Sequence, residues 1–149
     1  MSVTFDGPTS FQAWNLHTEL RIASEPGAGK QAVDELLSHL QRHQWVEHDI
    51  FGVHLAVEEA LVNAIKHGNR NDQSKQVHIV YKLADDVVRI EITDEGPGFD
   101  PKDVPDPTDD DNLEVPSGRG LMLMRSFMSV VEFNERGNGV VMEKRRGEL

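Results

Sequence analysis

The chain contains no cysteine. That excludes disulfides and thiolate metal sites, and it leaves the redox compartment undetermined. Positive charge is scarce: 15 Lys and Arg stand against 26 Asp and Glu, for a formal net charge of -11. A general nucleic-acid surface needs clustered cations, so direct nucleic-acid binding is not expected. A local basic pocket for one phosphorylated ligand is still compatible with that balance. No window approaches the ~18 apolar residues of a membrane span. Met1 to Ser10 has neither a basic flank nor an apolar run, so no signal peptide is expected. A cytoplasmic protein without membrane contact is the expectation. At 149 residues, a single domain over 1–149 with a substantial core is expected.

What is present centres on Glu58 to Asn69, Glu-Glu-Ala-Leu-Val-Asn-Ala-Ile-Lys-His-Gly-Asn. Leu55, Ala56, Ala60, Leu61, Ala64 and Ile65 recur at spacings of three and four, which makes an apolar helical stripe. Glu59, Asn63 and His67 recur every four residues, with Lys66 beside His67. On a helix these stack along one edge. Gly68 then ends the helix. Taken alone, the same pattern also describes a solvated helix face.

Around this stretch, Trp14 to Ala23 alternates and predicts a strand. Glu25-Pro-Gly-Ala-Gly predicts a turn, and Lys30 to His43 an amphipathic helix. His39 and His43 lie four apart on that helix, but with no third ligand nearby a solvated face fits them better than a metal site. Asp49 is expected to open the central helix, and Asn69 to Lys75 to form a polar turn. Gln76 to Leu83 and Val87 to Thr93 alternate and predict a hairpin turning at Asp85-Asp86. Leu121 to Met128 predicts a short helix. Val130 to Asn134 and Val140 to Arg145 predict a closing hairpin across Gly137-Asn138-Gly139. This order implies an α+β fold, a two-layer sandwich with helices on one face of a mixed, mainly antiparallel sheet.

Between the hairpins, Asp94 to Gly118 holds Pro97, Pro101, Pro105, Pro107 and Pro116. No regular element tolerates that density of proline. A loop so long inside a compact domain is either an acidic insert or a functional cover, and 99–117 is expected to be a lid over a ligand.

Three pieces carry candidate chemistry. Asp94-Glu95-Gly96-Pro97-Gly98 ends a strand: the Asp can accept from an exocyclic amino group, and Gly96 and Gly98 let backbone approach a flat base. Gly118-Arg119-Gly120, followed by Leu121, precedes a helix whose free N–H groups can face phosphates. Asn63 offers a neutral oxygen suited to Mg²⁺, and Glu59 can accept a proton from a nucleophile. Alone, each of the two glycine pieces is a weak signal.

In this order the pieces resemble the asparagine box and the two glycine boxes of the GHKL ATPase superfamily. That group includes the nucleotide-binding domains of gyrase, histidine kinases and MutL. Within it, the chain is most similar to the anti-sigma-factor serine/threonine protein kinases. Leu55 to Asn69, Asp94-Glu-Gly-Pro-Gly-Phe, and Gly118-Arg-Gly-Leu-Met-Leu-Met-Arg-Ser-Phe-Met carry the resemblance, which spans roughly residues 15–146. It implies the Bergerat ATP-binding fold, with ATP and Mg²⁺ as cofactors. Asp94 is implied on adenine, Asn63 on Mg²⁺, Lys66 and His67 near phosphates, and Glu59 as the base that activates the attacking hydroxyl. The implied activity is phosphorylation of a Ser or Thr on a STAS-type anti-anti-sigma protein, with a sigma factor as second partner and a homodimer as the assembly. Where the family often has a Thr pair in the last hairpin, this chain has Asn138-Gly139; where it commonly has an Asp after the last helix, this chain has Ser129.

Two other functions remain open at this point. One is an ATP-gated sequestering regulator without chemistry. The other is a detached histidine-kinase-type ATPase domain. Glu59 separates them: histidine kinases carry Asn there, and a carboxylate favours transfer to a hydroxyl.

Overall fold

The computed structural model describes residues 13–98 and 118–147. The expected lid, 99–117, and most of the expected lead-in lie outside them. Five strands, β1 (Leu16–Ala23), β2 (Gln76–Leu83), β3 (Val87–Thr93), β4 (Val130–Phe133) and β5 (Gly139–Arg145), form one sheet in the order β1-β2-β3-β5-β4. All four pairings are antiparallel, so the parallel component allowed for in the sequence is absent among the described residues.

The register explains the core. Leu20, Ile79, Ile92, Val140 and Phe133 are successive cross-strand partners, forming one row across the sheet. Tyr81, Ile90, Met142 and Val131 form the next. Side chains alternate faces along a strand, so these rows share the face packed against the helices. Val77, Ile79, Leu83, Ile90, Ile92 and Met142 are at most 3 % exposed, which identifies this face as the core. The opposite face is charged: Arg89 donates to Glu143 (2.9 Å) and to Glu91 (3.2 Å).

Helices α1 (Pro26–Arg42), α2 (Glu47–Val62) and α3 (Gly118–Phe127) complete the layer. Three element boundaries differ from expectation. First, α1 begins at Pro26, inside the segment expected to turn. Pro has no N–H to lose and its φ is already helical, so it suits the first helical position. Gly29 is buried in α1, and a Cβ there would lie 3.1 Å from Ile65 Cδ1, so its lack of a side chain lets α1 close on the central helix.

Second, α2 starts at Glu47 and not at Asp49. Asp49 is buried in the first turn, where its carboxylate accepts the Gly147 N–H (2.8 Å) and faces Lys144 at 3.9 Å. Third, α3 includes Gly118 to Gly120 in its first turn; these glycines do not precede it. Gly52 lets α2 meet α3, because a Cβ there would lie 3.2 Å from Phe127. After α3, Ser129 Oγ accepts the Arg145 N–H (2.9 Å), a packing role at the sheet edge. His43 is exposed and its ring bonds the His39 carbonyl; no group of three potential metal ligands occurs among the described residues.

Candidate functional site

The central helix does not run on as an α-helix to Gly68. Residues Asn63–Gly68 form a π-helical turn, closed by the Asn69 N–H on Ala64 O at 2.8 Å. Such single turns insert a residue into the helix and occur often at functional sites. The insertion changes which side chains share a direction, so the straight edge expected from the four-residue spacing is broken.

A pocket of about 210 Å³ opens beside this turn. Its walls come from the π turn (Asn63, His67, Gly68), the loop after β3 (Asp94, Pro97, Gly98) and the β4–β5 hairpin (Gly137 to Val140), with Ile92, Phe133 and Met124 behind. A pocket enclosing a whole drug-sized ligand runs to roughly 300–1,000 Å³. This one suits a flat heterocycle, with any attached chain lying outside it.

The structure therefore gathers Asn63, His67, Asp94 and Gly98 in one pocket. Gly96 supports it from behind: a Cβ there would lie 2.1 Å from the Gly68 carbonyl oxygen. A Cβ on Gly68 would lie 2.3 Å from the Asp94 carboxylate. The two loops can approach this closely only because both residues are glycine. Glu59 and Lys66 are not among the pocket's lining residues, and Lys66 is exposed. Arg119, Gly120 and Leu121 do not line it either; α3 reaches the pocket through Met124. Sequence reasoning missed Arg70, Met124 and Phe133 as lining residues. The hairpin glycines were the one available signal for that wall, and they read equally well as a turn.

Asp94 is held from three directions. Its N–H donates to Asn138 O (2.9 Å), and the Asn138 side chain donates back to Asp94 O (2.9 Å). The Gly96 N–H donates to Asp94 Oδ1 (2.7 Å). Burial pushes the Asp94 carboxyl up to about 6, against the Gly96 hydrogen bond and the charges of Arg136 and Lys75, which pull it down. Asn138-Gly139 thus does structural work at the position of the family's Thr pair. Asn138 reaches the Asp94 backbone, and a Cβ on Gly139 would lie 2.7 Å from Asn134 Nδ2. Glu59 is partly buried, and its carboxyl is raised by desolvation and by the neighbouring Glu58 charge.

Gly96→Ala is expected to destabilise the fold by about 1–3 kcal/mol, the usual scale for overpacking against backbone that cannot yield. Thermal denaturation checks this; an unchanged midpoint would mean that the contact with Gly68 is not fixed.

The sequence profile of the histidine kinase-like ATPase domain matches residues 22–144. The anti-sigma F factor of Clostridium botulinum (strain Eklund 17B / Type B) is 37 % identical over 105 residues, covering 65 % of this chain and 71 % of that protein. The serine-protein kinase RsbW of Oceanobacillus iheyensis is 25 % identical over 132 residues, covering 85 % and 84 %. Among solved structures, the RsbU and RsbW domains of Rv1364c from Mycobacterium tuberculosis share the fold, with a TM-score of 0.60 at 17 % identity. The match covers 89 % of this chain and 32 % of that longer one. The antiparallel sheet layered with helices is the fold that the GHKL resemblance implied. No helix among the described residues is long and apolar enough to cross a membrane. The chain belongs to the histidine kinase-like ATPase domain family.

Proposed function

We propose that this protein is an ATP-dependent serine/threonine protein kinase that also acts as an anti-sigma factor. It takes adenine in the pocket beside Asp94. Its substrate is a Ser or Thr on a STAS-type anti-anti-sigma protein, and its second partner is a sigma factor. The cytoplasm is the compartment where such partners meet. The names of the relatives above support the partner classes.

The observation that carries the kinase reading is Glu59. It is a carboxylate one helical turn before Asn63, and desolvation raises its pKa, which makes it a stronger base. Phosphoryl transfer needs positioning and charge neutralisation more than covalent help, so one base, one metal ligand and a base-binding acceptor suffice.

The residues fit Mg²⁺ as well as ATP. Asn63 lines the pocket, and no atom of the described residues bonds its buried Nδ2. Turning the amide exchanges that nitrogen for an oxygen, the ligand type Mg²⁺ takes. No acidic cage is needed, because Mg²⁺ keeps waters and the substrate's phosphates in its shell. Bound there, the ion would neutralise charge on the phosphates. Asn63→Ala is expected to leave nucleotide affinity independent of Mg²⁺. Titration of wild type and variant with and without a chelator checks this; a wild type indifferent to the chelator contradicts the role of Asn63.

One observation favours a second reading, an ATP-gated sequestering regulator that transfers nothing: Glu59 is not among the pocket's lining residues. Incubation with labelled ATP and co-purified partner separates the two. Acid-stable label on a partner Ser or Thr supports the kinase, and ATP-dependent capture without label supports the sequestering regulator.

A further inference from the structure

Asn69 follows the π-helical turn directly and is 1 % exposed. Its carboxamide is engaged at both ends. Nδ2 donates to Ser24 Oγ (2.7 Å) and to Gln76 O (3.0 Å). Oδ1 accepts the Glu95 N–H at 2.8 Å. Its own N–H closes the π turn on Ala64 O. One residue thus joins four places: the end of β1, the start of β2, the loop residue next to Asp94, and the turn that carries Asn63 and His67.

The surrounding bonds point the same way. Ser24 Oγ donates to Lys75 O (2.9 Å), and the Gln76 N–H donates to the Glu95 carboxylate (2.5 Å). Asp94 is bracketed from the opposite side by Asn138. A buried carboxamide with both ends satisfied selects one arrangement of the backbones it joins, because any shift leaves a donor or acceptor unmet. The loop it fixes is the one carrying Asp94, and a hydrogen bond weakens steeply when its distance or angle is lost.

We propose that Asn69 is a positioning residue for nucleobase selection: it sets the Asp94 carboxylate relative to Asn63 and His67, so that the pocket discriminates bases by their exocyclic amino group. This rests on the reading of the pocket as an ATP site. Asn69 touches no nucleotide in this account and acts only through Asp94.

The test compares binding of ATP and of purine riboside triphosphate, which is ATP without the exocyclic amino group. Wild type is expected to prefer ATP by roughly 10- to 100-fold, the scale of one hydrogen bond to a charged group. In Asn69→Ala that preference collapses toward unity, while affinity for the analogue changes little. Ser24→Ala, a small change that removes one Asn69 acceptor, shifts the preference in the same direction by less. If Asn69→Ala does not fold, Ser24→Ala decides. A folded variant that keeps the full preference overturns the proposal. So does one that loses both nucleotides equally, since that is the result of a merely structural role. A wild type that binds ATP without preference overturns the role given to Asp94, and this inference with it. A wild type that binds neither nucleotide overturns the ATP-site reading itself.

Discussion

Asp94→Asn abolishes or strongly weakens ATP binding while leaving the fold intact. The substitution keeps the side-chain shape, and Oδ1 can still accept the Gly96 N–H that holds the loop. It removes the charge, and it can present an amide donor where the adenine amino group needs an acceptor. An unmet buried hydrogen bond costs about 1–3 kcal/mol, and the bond lost here is charge-assisted. Titration calorimetry of the folded variant checks it, and unchanged ATP affinity would refute the assignment.

The same residue gives a pH dependence with a fixed sign. Burial raises the Asp94 carboxyl from 3.8 to about 6 in the ligand-free protein. An amino donor favours the ionised form, so ATP affinity is expected to fall as pH drops through about 6, by at most tenfold per pH unit. Fold stability runs the other way. The folded state holds this proton more tightly than the unfolded chain, so the Asp94 contribution is greatest at low pH and is lost as pH rises from 3.8 through about 6. The pocket therefore sacrifices some stability at neutral pH for an ionised acceptor in a partly dry site.

Glu59→Gln preserves ATP binding and partner capture but lowers phosphoryl transfer by on the order of 10²–10⁴-fold, the range of a general base. The change keeps size and polarity and removes only the basic oxygen. Glu58 is the internal control. It is exposed, and its carboxylate lies 3.4 Å from the His54 ring, one turn earlier on the same helix. Successive helical residues differ by about 100° around the axis, so Glu58 and Glu59 cannot serve the same point. Glu58→Gln is expected to have a much smaller effect. If Glu58→Gln is the inactive variant, the base has been assigned one residue out of register.

The parts legible in the sequence were those where burial imposes a simple period. Val77, Ile79, Tyr81 and Leu83 alternate with polar residues because β2 buries one face, and the structure keeps the expected bounds of β2 and β3. The start of α1 was hidden by composition. Pro26, Gly27 and Gly29 suggest a turn, yet Pro fits the first helical position and Gly29 is demanded by contact with Ile65. The π turn was invisible because the apolar stripe continues through Ala64 and Ile65 whether the turn is α or π. The order in which strands pair is set by long-range contacts. Alternation alone therefore left open a parallel component that no pairing among the described residues shows.

For the site, residue type and spacing singled out Asn63, His67 and Asp94, and the structure places all three around one pocket. Asn69 could not be singled out this way. In the sequence it begins a polar turn, whereas in the fold it is buried with three side-chain hydrogen bonds to distant backbone and Ser24. The hairpin wall was equally hidden, since Asn138 matters through the Asp94 backbone 44 residues earlier.

The most direct measurement is phosphate transfer itself. Purified protein is incubated with γ-labelled ATP, Mg²⁺ and the partner it captures, and the partner is then analysed for phosphoserine and phosphothreonine. Label is expected on a Ser or Thr of that partner, lost in Asp94→Asn and slowed in Glu59→Gln. A wild-type protein that binds ATP and captures its partner, yet transfers no label to it, would contradict the kinase and leave an ATP-gated sequestering protein in its place.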